Sequence, residues 1–135
     1  MTVKIIATIG PATKNSIQIQ KLAKAGADIG RINMKYSSVK EAEKISRILS
    51  ENGCKVLLDV TKEKLSDEIK KIKFDYIALA FTESLQDIIF LRKFFYPRKI
   101  FVVSKIESKK GVLNINKIVD ASDGVMVARG DLGKN

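Results

Sequence analysis

The chain has 135 residues, with 25 Lys and Arg against 15 Asp and Glu, and it contains no histidine and a single cysteine. The missing histidine excludes histidine-based catalytic triads, metal sites and general bases, and a single cysteine excludes an internal disulfide. The length favours one globular domain, no apolar run reaches the roughly 20 residues of a membrane span, and no signal peptide pattern is present, so we expect a cytoplasmic protein.

Six short apolar runs rich in Val and Ile predict β-strands. They are apolar at nearly every position, which is typical of parallel strands covered on both faces. The predicted strands are Val3–Ile9, Ala27–Met34, Lys55–Val60, Asp75–Phe81, Lys99–Ile106 and Gly124–Ala128.

Helical spacing of apolar residues separates most of these runs. The first helix covers Ser16–Ala25 and ends at Gly26, and the second begins with a capping box at Ser38 and ends at Gly53. The remaining predictions are a third helix carrying Leu65, Ile69 and Ile72, a fourth from Leu85, and a brief fifth over Val112–Ala121.

Alternating strands and helices indicate an α/β fold with a parallel sheet. Two architectures fit this order, an open doubly wound sheet or part of a (β/α)8 barrel, since a full barrel takes eight strands and about 250 residues. Both place their chemistry at the carboxyl ends of the strands, so those ends are the place to look for a site.

Charged side chains lie at several of these strand ends. Lys105 and Glu107 are two residues apart on one strand, so their side chains point to the same face. Asp131 follows the next strand, and if the two strands are neighbours, Glu107 and Asp131 converge at one rim. Arg31, Asn33 and Asp59 lie at the ends of the second and third strands.

The chemistry of these residues suits an anionic substrate and a hard cation. Two carboxylates without histidine or cysteine favour Mg²⁺ or Mn²⁺. Arg31 and Lys105 supply positive charge, which arginine presents as a planar fork and lysine as a point charge. The alternative is that pairs such as Lys105 and Glu107 are structural ion pairs.

Five stretches, in order, resemble the pyruvate kinase family: "KIIATIGPAT", "GADIGRIN", "VLLDV", "VVSKIESKKGVLNINKI" and "ASDGVMVARGDLG". The resemblance implies a partial (β/α)8 TIM-type barrel of the phosphoenolpyruvate/pyruvate class, with about six βα units and parallel strands. It also implies transfer of a phosphoryl group from phosphoenolpyruvate to ADP with the help of Mg²⁺.

The resemblance also implies roles for individual residues. Glu107 and Asp131 match the family's divalent-metal ligands, and Lys105 matches the lysine beside the transferred phosphoryl group. Arg31 matches the arginine that holds the phosphate. Gly130 and Asp131 match the loop whose backbone N–H groups receive the substrate carboxylate.

The monovalent-cation site departs from the family pattern. Asn33 and Asp59 match ligands of K⁺, but Lys35 stands where the family has a K⁺-coordinating serine. The Lys35 ammonium either takes the place of the cation, which would make the site independent of K⁺, or abolishes the site.

Further departures concern whole segments. After Asp59 the family enters a separate lid domain, whereas here Val60–Glu63 leads directly into a helix. The resemblance ends before the family's seventh and eighth strands, so we expect a single truncated barrel domain over residues 1–135 and a homo-oligomer that covers the open sheet edges.

These departures leave more than one function open. One expectation is an enzyme that binds Mg²⁺, phosphoenolpyruvate or pyruvate and ADP or ATP, with phosphoryl transfer reduced or lost. The alternative is a non-catalytic binding or assembly protein that keeps the metal–substrate half-site. A nucleic-acid binder rests on the net charge of +10 alone and is not favoured.

Overall fold

The computed structural model describes residues 2–134 and shows strands alternating with helices. The strands are β1 (Ile6–Thr8), β2 (Ile29–Asn33), β3 (Lys55–Val60), β4 (Tyr76–Leu79), β5 (Val102–Ile106) and β6 (Gly124–Val127). The helices are α1 (Ser16–Lys24), α2 (Val39–Glu51), α3 (Leu85–Phe95), α4 (Lys109–Leu113), α5 (Ile115–Ala121) and α6 (Arg129–Leu132). All six predicted strands are therefore present.

The chain divides into two compact units, which we describe separately. The first unit runs up to Asp59 and also includes Lys64–Asp75. Its strands β1, β2 and β3 pair in parallel in that order, with Thr8 opposite Arg31 and Asn33 opposite Asp59. The register therefore brings the predicted site residues of this unit to the same ends of adjacent strands.

A close approach of helix to strand shapes the first unit. A Cβ atom on Gly30 of β2 would lie 2.4 Å from the nearest side-chain atom of Leu49 in α2. Leu49 is buried, as are Ile32 and Leu58 on the strands. Glycine at position 30 thus lets α2 pack directly on the sheet.

The second unit contains Val60–Glu63 and the residues from Tyr76 onward. Strands β4, β5 and β6 pair in parallel in that order, with Leu79 opposite Ser104 and Ile106 opposite Val127. The carboxyl ends of β5 and β6 are hydrogen-bonded neighbours, because the Ala128 N–H donates to the Ile106 carbonyl at 3.3 Å. The neighbouring strands expected for Glu107 and Asp131 are thus present.

Helix starts and ends follow the sequence signals. The Ser38 hydroxyl accepts a hydrogen bond from the Glu41 N–H at the start of α2, and Ser84 and Asp87 form a reciprocal capping box at the start of α3. Gly26 and Gly53 follow α1 and α2 with φ of +108° and +78°, a backbone region that glycine adopts readily.

Two predicted helices and one predicted loop need correction. The third predicted helix is a pair of 3-10 helices, Lys62–Lys64 and Asp67–Lys71. The buried Ile69 and Ile72 are three residues apart, a spacing that a 3-10 helix with three residues per turn also places on one face. The fifth is split into α4 and α5 at Asn114. The loop expected at Gly130 and Asp131 instead forms the short helix α6.

Burial differs among the strands. Strands β3 and β5 are almost wholly buried, as predicted, but β1 and β6 are not. Ile6 is 44% exposed and Val127 is 62% exposed, so the expectation of strands covered on both faces is wrong for β1 and β6. Within residues 2–134, none of the helices has the length and apolar character needed to cross a bilayer.

Candidate functional site

Arg31 is held at the end of β2 by two neighbouring side chains. Its Nε donates to Asp59 Oδ2 at 2.8 Å, and its Nη2 lies 2.6 Å from the same oxygen. Its Nη1 donates to Thr8 Oγ1 at 2.9 Å. Asp59 is buried and Arg31 is one-fifth exposed, so the guanidinium is fixed on the protein side and still reaches solvent.

The two residues predicted for a monovalent cation lie opposite each other on β2 and β3. Asn33 Oδ1 accepts a hydrogen bond from the Lys35 N–H at 3.0 Å, and Asp59 Oδ2 is the partner of Arg31. The Lys35 ammonium lies 5.4 Å from the centre of the Tyr36 ring. A cation at this distance over an aromatic face is attracted by the ring. The roles of Asn33, Asp59 and Lys35 in K⁺ binding remain predictions.

A cavity of about 490 Å³ adjoins Arg31 in the first unit. Thr8, Arg31 and Asn33 contribute to its wall from the strand ends, and Tyr36 and Lys14 contribute from the loops. Ser37 and the Glu41 carboxylate complete its polar lining. The cavity thus carries both positive and negative side chains, with Arg31 among those at the strand ends.

In the second unit, Lys105 and Glu107 lie together at the end of β5. Lys105 Nζ is 3.4 Å from Glu107 Oε1, and both residues are buried. Glu107 Oε2 accepts a hydrogen bond of 2.6 Å from the Phe81 N–H. Strand alternation predicted the shared face, and buried charges of this kind need a partner to offset desolvation.

Gly130 and Asp131 lie in the first turn of α6, directly after β6. Both are exposed, and the N–H of Leu132 donates to the Ala128 carbonyl to close the turn. Two carboxylates, with waters and substrate oxygens completing the shell, are a usual ligand set for Mg²⁺, so Glu107 and Asp131 fit the ion by donor type. Residues 2–134 contain no group of three or more Cys, Asp or Glu side chains arranged for a metal ion.

The segment that follows β3 is tied to α3. Lys62 forms an ion pair with Asp87, whose other oxygen accepts from the Glu83 and Ser84 N–H groups at 2.8 and 3.1 Å. Burial raises the pKa of Asp87, but these hydrogen bonds and the Lys62 charge outweigh burial, and the pKa lies below its usual value. Residues 61–75 contain only the two 3-10 helices, so no lid domain stands between β3 and β4.

Two contacts of the site residues are not predicted by the sequence. Thr8 lies within the predicted first strand, but its contact with Arg31 depends on the register of β1 against β2, which the sequence does not specify. Phe81 has φ of +49°, which is unusual for a bulky residue, and this conformation accompanies the hydrogen bond of its N–H to Glu107. No local sequence signal marks a phenylalanine for positive φ.

Comparison with known proteins agrees with this geometry. The family model for the barrel domain of pyruvate kinase matches residues 42–135. The chain belongs to the pyruvate kinase family. This membership confirms the predicted fold class, a partial (β/α)8 barrel with parallel strands, because the matched family domain is a barrel.

Several members of the pyruvate kinase family align with parts of the chain. It is 46% identical to the pyruvate kinase of Methanocaldococcus jannaschii over 74 residues, which is 49% of this chain and 17% of that protein. It is 38% identical over 86 residues to that of Staphylococcus epidermidis, covering 60% of this chain and 15% of the relative. It is 47% identical over 62 residues to the pyruvate kinase of Mycoplasma genitalium, which covers 44% of this chain and 12% of that protein. The matches therefore span less than a fifth of each relative.

Proposed function

We propose that this chain is a pyruvate kinase-like protein that binds Mg²⁺ together with phosphoenolpyruvate or pyruvate. The observation that carries the proposal is the buried Lys105–Glu107 pair at the end of β5, beside the end of β6. Lysine and glutamate are rarely this buried without a specific reason, and their position is the one where barrel enzymes place their chemistry.

Each residue of the second unit has a defined task in this proposal. Glu107 and Asp131 would hold the divalent ion, which when bound neutralises charge on substrate oxygens. Lys105 places a positive charge beside a transferred phosphoryl group, and its burial strengthens that charge because little water screens it. The Gly130 and Asp131 backbone would receive the substrate carboxylate.

Arg31 supplies the phosphate contact of the first unit. Its guanidinium has five N–H donors on three nitrogen atoms. The contacts with Asp59 and Thr8 involve one N–H group on each of these three atoms. Donors therefore remain on both Nη atoms, in the fork geometry that suits a phosphate. The cavity beside Arg31 gives a small anion access to these donors.

Phosphoryl transfer to ADP would have to proceed without a lid between β3 and β4. A lid excludes water and positions substrate in many phosphoryl-transfer enzymes, and residues 61–75 provide none at the position where the family inserts one. We therefore propose binding with reduced or lost turnover. A non-catalytic binding or assembly protein that keeps the metal–substrate half-site is the second candidate, favoured by the same short connection.

The proposal includes three further points. Lys35 either takes the place of the monovalent cation or abolishes its site. The protein acts in the cytoplasm. Self-association would cover apolar side chains on β1 and β6, such as Ile6 and Val127.

Titration calorimetry and a coupled assay test the proposal together. Oxalate, a stable dicarboxylate mimic of enolpyruvate, is titrated in the presence and absence of Mg²⁺, and pyruvate formation from phosphoenolpyruvate and ADP is followed separately. We expect Mg²⁺-dependent oxalate binding in the wild type and none in Glu107→Ala.

The outcomes separate the two candidates. Binding with turnover above the Glu107→Ala background supports the enzyme, and binding without turnover supports the binding protein. Absence of Mg²⁺-dependent oxalate binding in the folded wild-type protein would contradict both.

A further inference from the structure

We propose that Thr8 is a positioning residue that fixes the Arg31 guanidinium for anion binding. The inference rests on the proposed function of Arg31 and adds a residue whose role no sequence pattern indicates. It concerns only the first unit, in which Thr8 on β1 and Arg31 on β2 are direct register partners.

The guanidinium is held along two edges. Nε and Nη2 both contact Asp59 Oδ2, so the carboxylate holds one edge at a single oxygen atom. Nη1 on the opposite edge donates to Thr8 Oγ1 at 2.9 Å. The threonine contact therefore gives the plane of the guanidinium a fixed point on a second edge.

Threonine suits this task better than other polar residues. Its β-branched side chain has restricted χ1 freedom and is favoured in strands, so the hydroxyl stays beside Arg31 at low entropic cost. Both Thr8 and Arg31 line the cavity of about 490 Å³, so an ion entering it meets a guanidinium whose remaining N–H groups already have fixed directions. Such preorganisation raises affinity because less freedom is lost on binding.

A merely stabilising role for Thr8 accounts less well for the contact. Thr8 is exposed at the end of a three-residue strand, and an exposed hydrogen bond adds little to stability. Thr8→Val keeps the side-chain shape and the strand preference but removes the acceptor. Thr8→Ser keeps the hydroxyl and removes only the methyl group. The two variants therefore separate the hydrogen bond from the packing.

The test measures Arg31 directly and also its effect on an anion. The ¹⁵N and ¹H signals of the Arg31 guanidinium report how freely its Nη1 group rotates, and titration with inorganic phosphate reports affinity. We expect restricted Nη1 rotation in the wild type and Thr8→Ser, and averaged signals in Thr8→Val. Phosphate should bind about threefold to tenfold more weakly to Thr8→Val, with little change in the thermal midpoint.

The outcomes distinguish this inference from the proposed function. Unchanged Arg31 signals in Thr8→Val, or unchanged phosphate affinity while Arg31→Met loses it, would overturn the positioning role and leave Arg31 as an anion ligand. If the wild type and Arg31→Met bind phosphate equally, the proposed role of Arg31 fails, and the rotation measurement alone decides whether Thr8 fixes the guanidinium. Should Thr8→Val not fold, Thr8→Ala removes the same acceptor and takes its place in both measurements.

Discussion

Lys105 Nζ and Glu107 Oε1 lie 3.4 Å apart at the end of β5, and both side chains are more than nine-tenths buried. Glu107 also accepts the Phe81 N–H, so its two oxygens face different partners. A carboxylate held by two partners is preorganised for binding, because its orientation does not depend on a bound ligand.

Glu107 is therefore expected to matter for stability as well as for binding. Glu107→Ala leaves the buried Lys105 ammonium without this carboxylate and the Phe81 N–H without its acceptor, which should lower the free energy of unfolding by about 3 kcal/mol. Glu107→Gln keeps an acceptor for the N–H and should lose about 1 kcal/mol. Urea denaturation of the three proteins measures the difference. Equal stability of Glu107→Ala and the wild type would show that the pair does not stabilise the second unit.

Lys35 should determine the cation requirement of the first unit. With the ammonium in place of the cation, the binding of inorganic phosphate at Arg31 of the wild-type protein should be the same in K⁺ and in tetramethylammonium. Lys35→Ser restores the family's hydroxyl and should make that binding dependent on K⁺. Calorimetric titration in the two salts measures the effect, with Lys40→Ser on α2 as a control for the loss of one positive charge. If binding by the wild-type protein required K⁺, the result would contradict the replacement of the cation by the Lys35 ammonium.

Asp87 should contribute a pH-dependent part of the stability. Its pKa in the folded protein lies below the unfolded value of about 3.9. The contribution of its ionised form is therefore complete above that value and is lost as the pH falls through the folded pKa. At pH 7, Asp87→Asn should lower the free energy of unfolding by about 1 kcal/mol, through the weakened α3 cap and the lost charge pair with Lys62.

Denaturation at pH 7 and at pH 3 tests the Asp87 prediction. The difference between the wild type and Asp87→Asn should shrink at the lower pH. Asp67→Asn is the matched control, because Asp67 also pairs with a lysine, Lys70, but is 90% exposed. Exposed pairs contribute little, so Asp67→Asn should leave stability nearly unchanged. If the difference in free energy of unfolding between the wild type and Asp87→Asn did not depend on pH, the result would contradict a stabilising role for the ionised Asp87 carboxylate.

Gly111 should be intolerant of a side chain. A Cβ atom there would lie 2.9 Å from the Thr82 backbone oxygen, which cannot move without displacing the end of β4. Gly111→Ala should therefore destabilise the protein by about 2 kcal/mol. At Gly10 a Cβ atom meets no heavy atom within 4 Å, so Gly10→Ala should change stability by less than about 0.5 kcal/mol. Thermal denaturation of the two variants measures the difference. Equal denaturation midpoints would contradict the predicted clash at position 111.

The order of the strands and the positions of α1, α2 and α3 could be predicted from the amino-acid sequence alone. The apolar runs, the caps at Ser38 and Ser84 and the glycines at 26 and 53 are local signals, and each acts over a few residues. Alternation along β5 was enough to place Lys105 and Glu107 on one face. The motifs around these two residues indicated the pyruvate kinase family, and that family indicated the fold class.

The contacts that hold the site residues could not be predicted from the sequence. The contacts of Arg31 with Thr8 and Asp59 join residues 23 and 28 positions apart, and they depend on the register of three strands. The positive φ of Phe81 and the short helix over Gly130 and Asp131 are also decided by packing, since no local preference demands either. Local propensity specifies which elements form, whereas strand register and burial specify which charges meet.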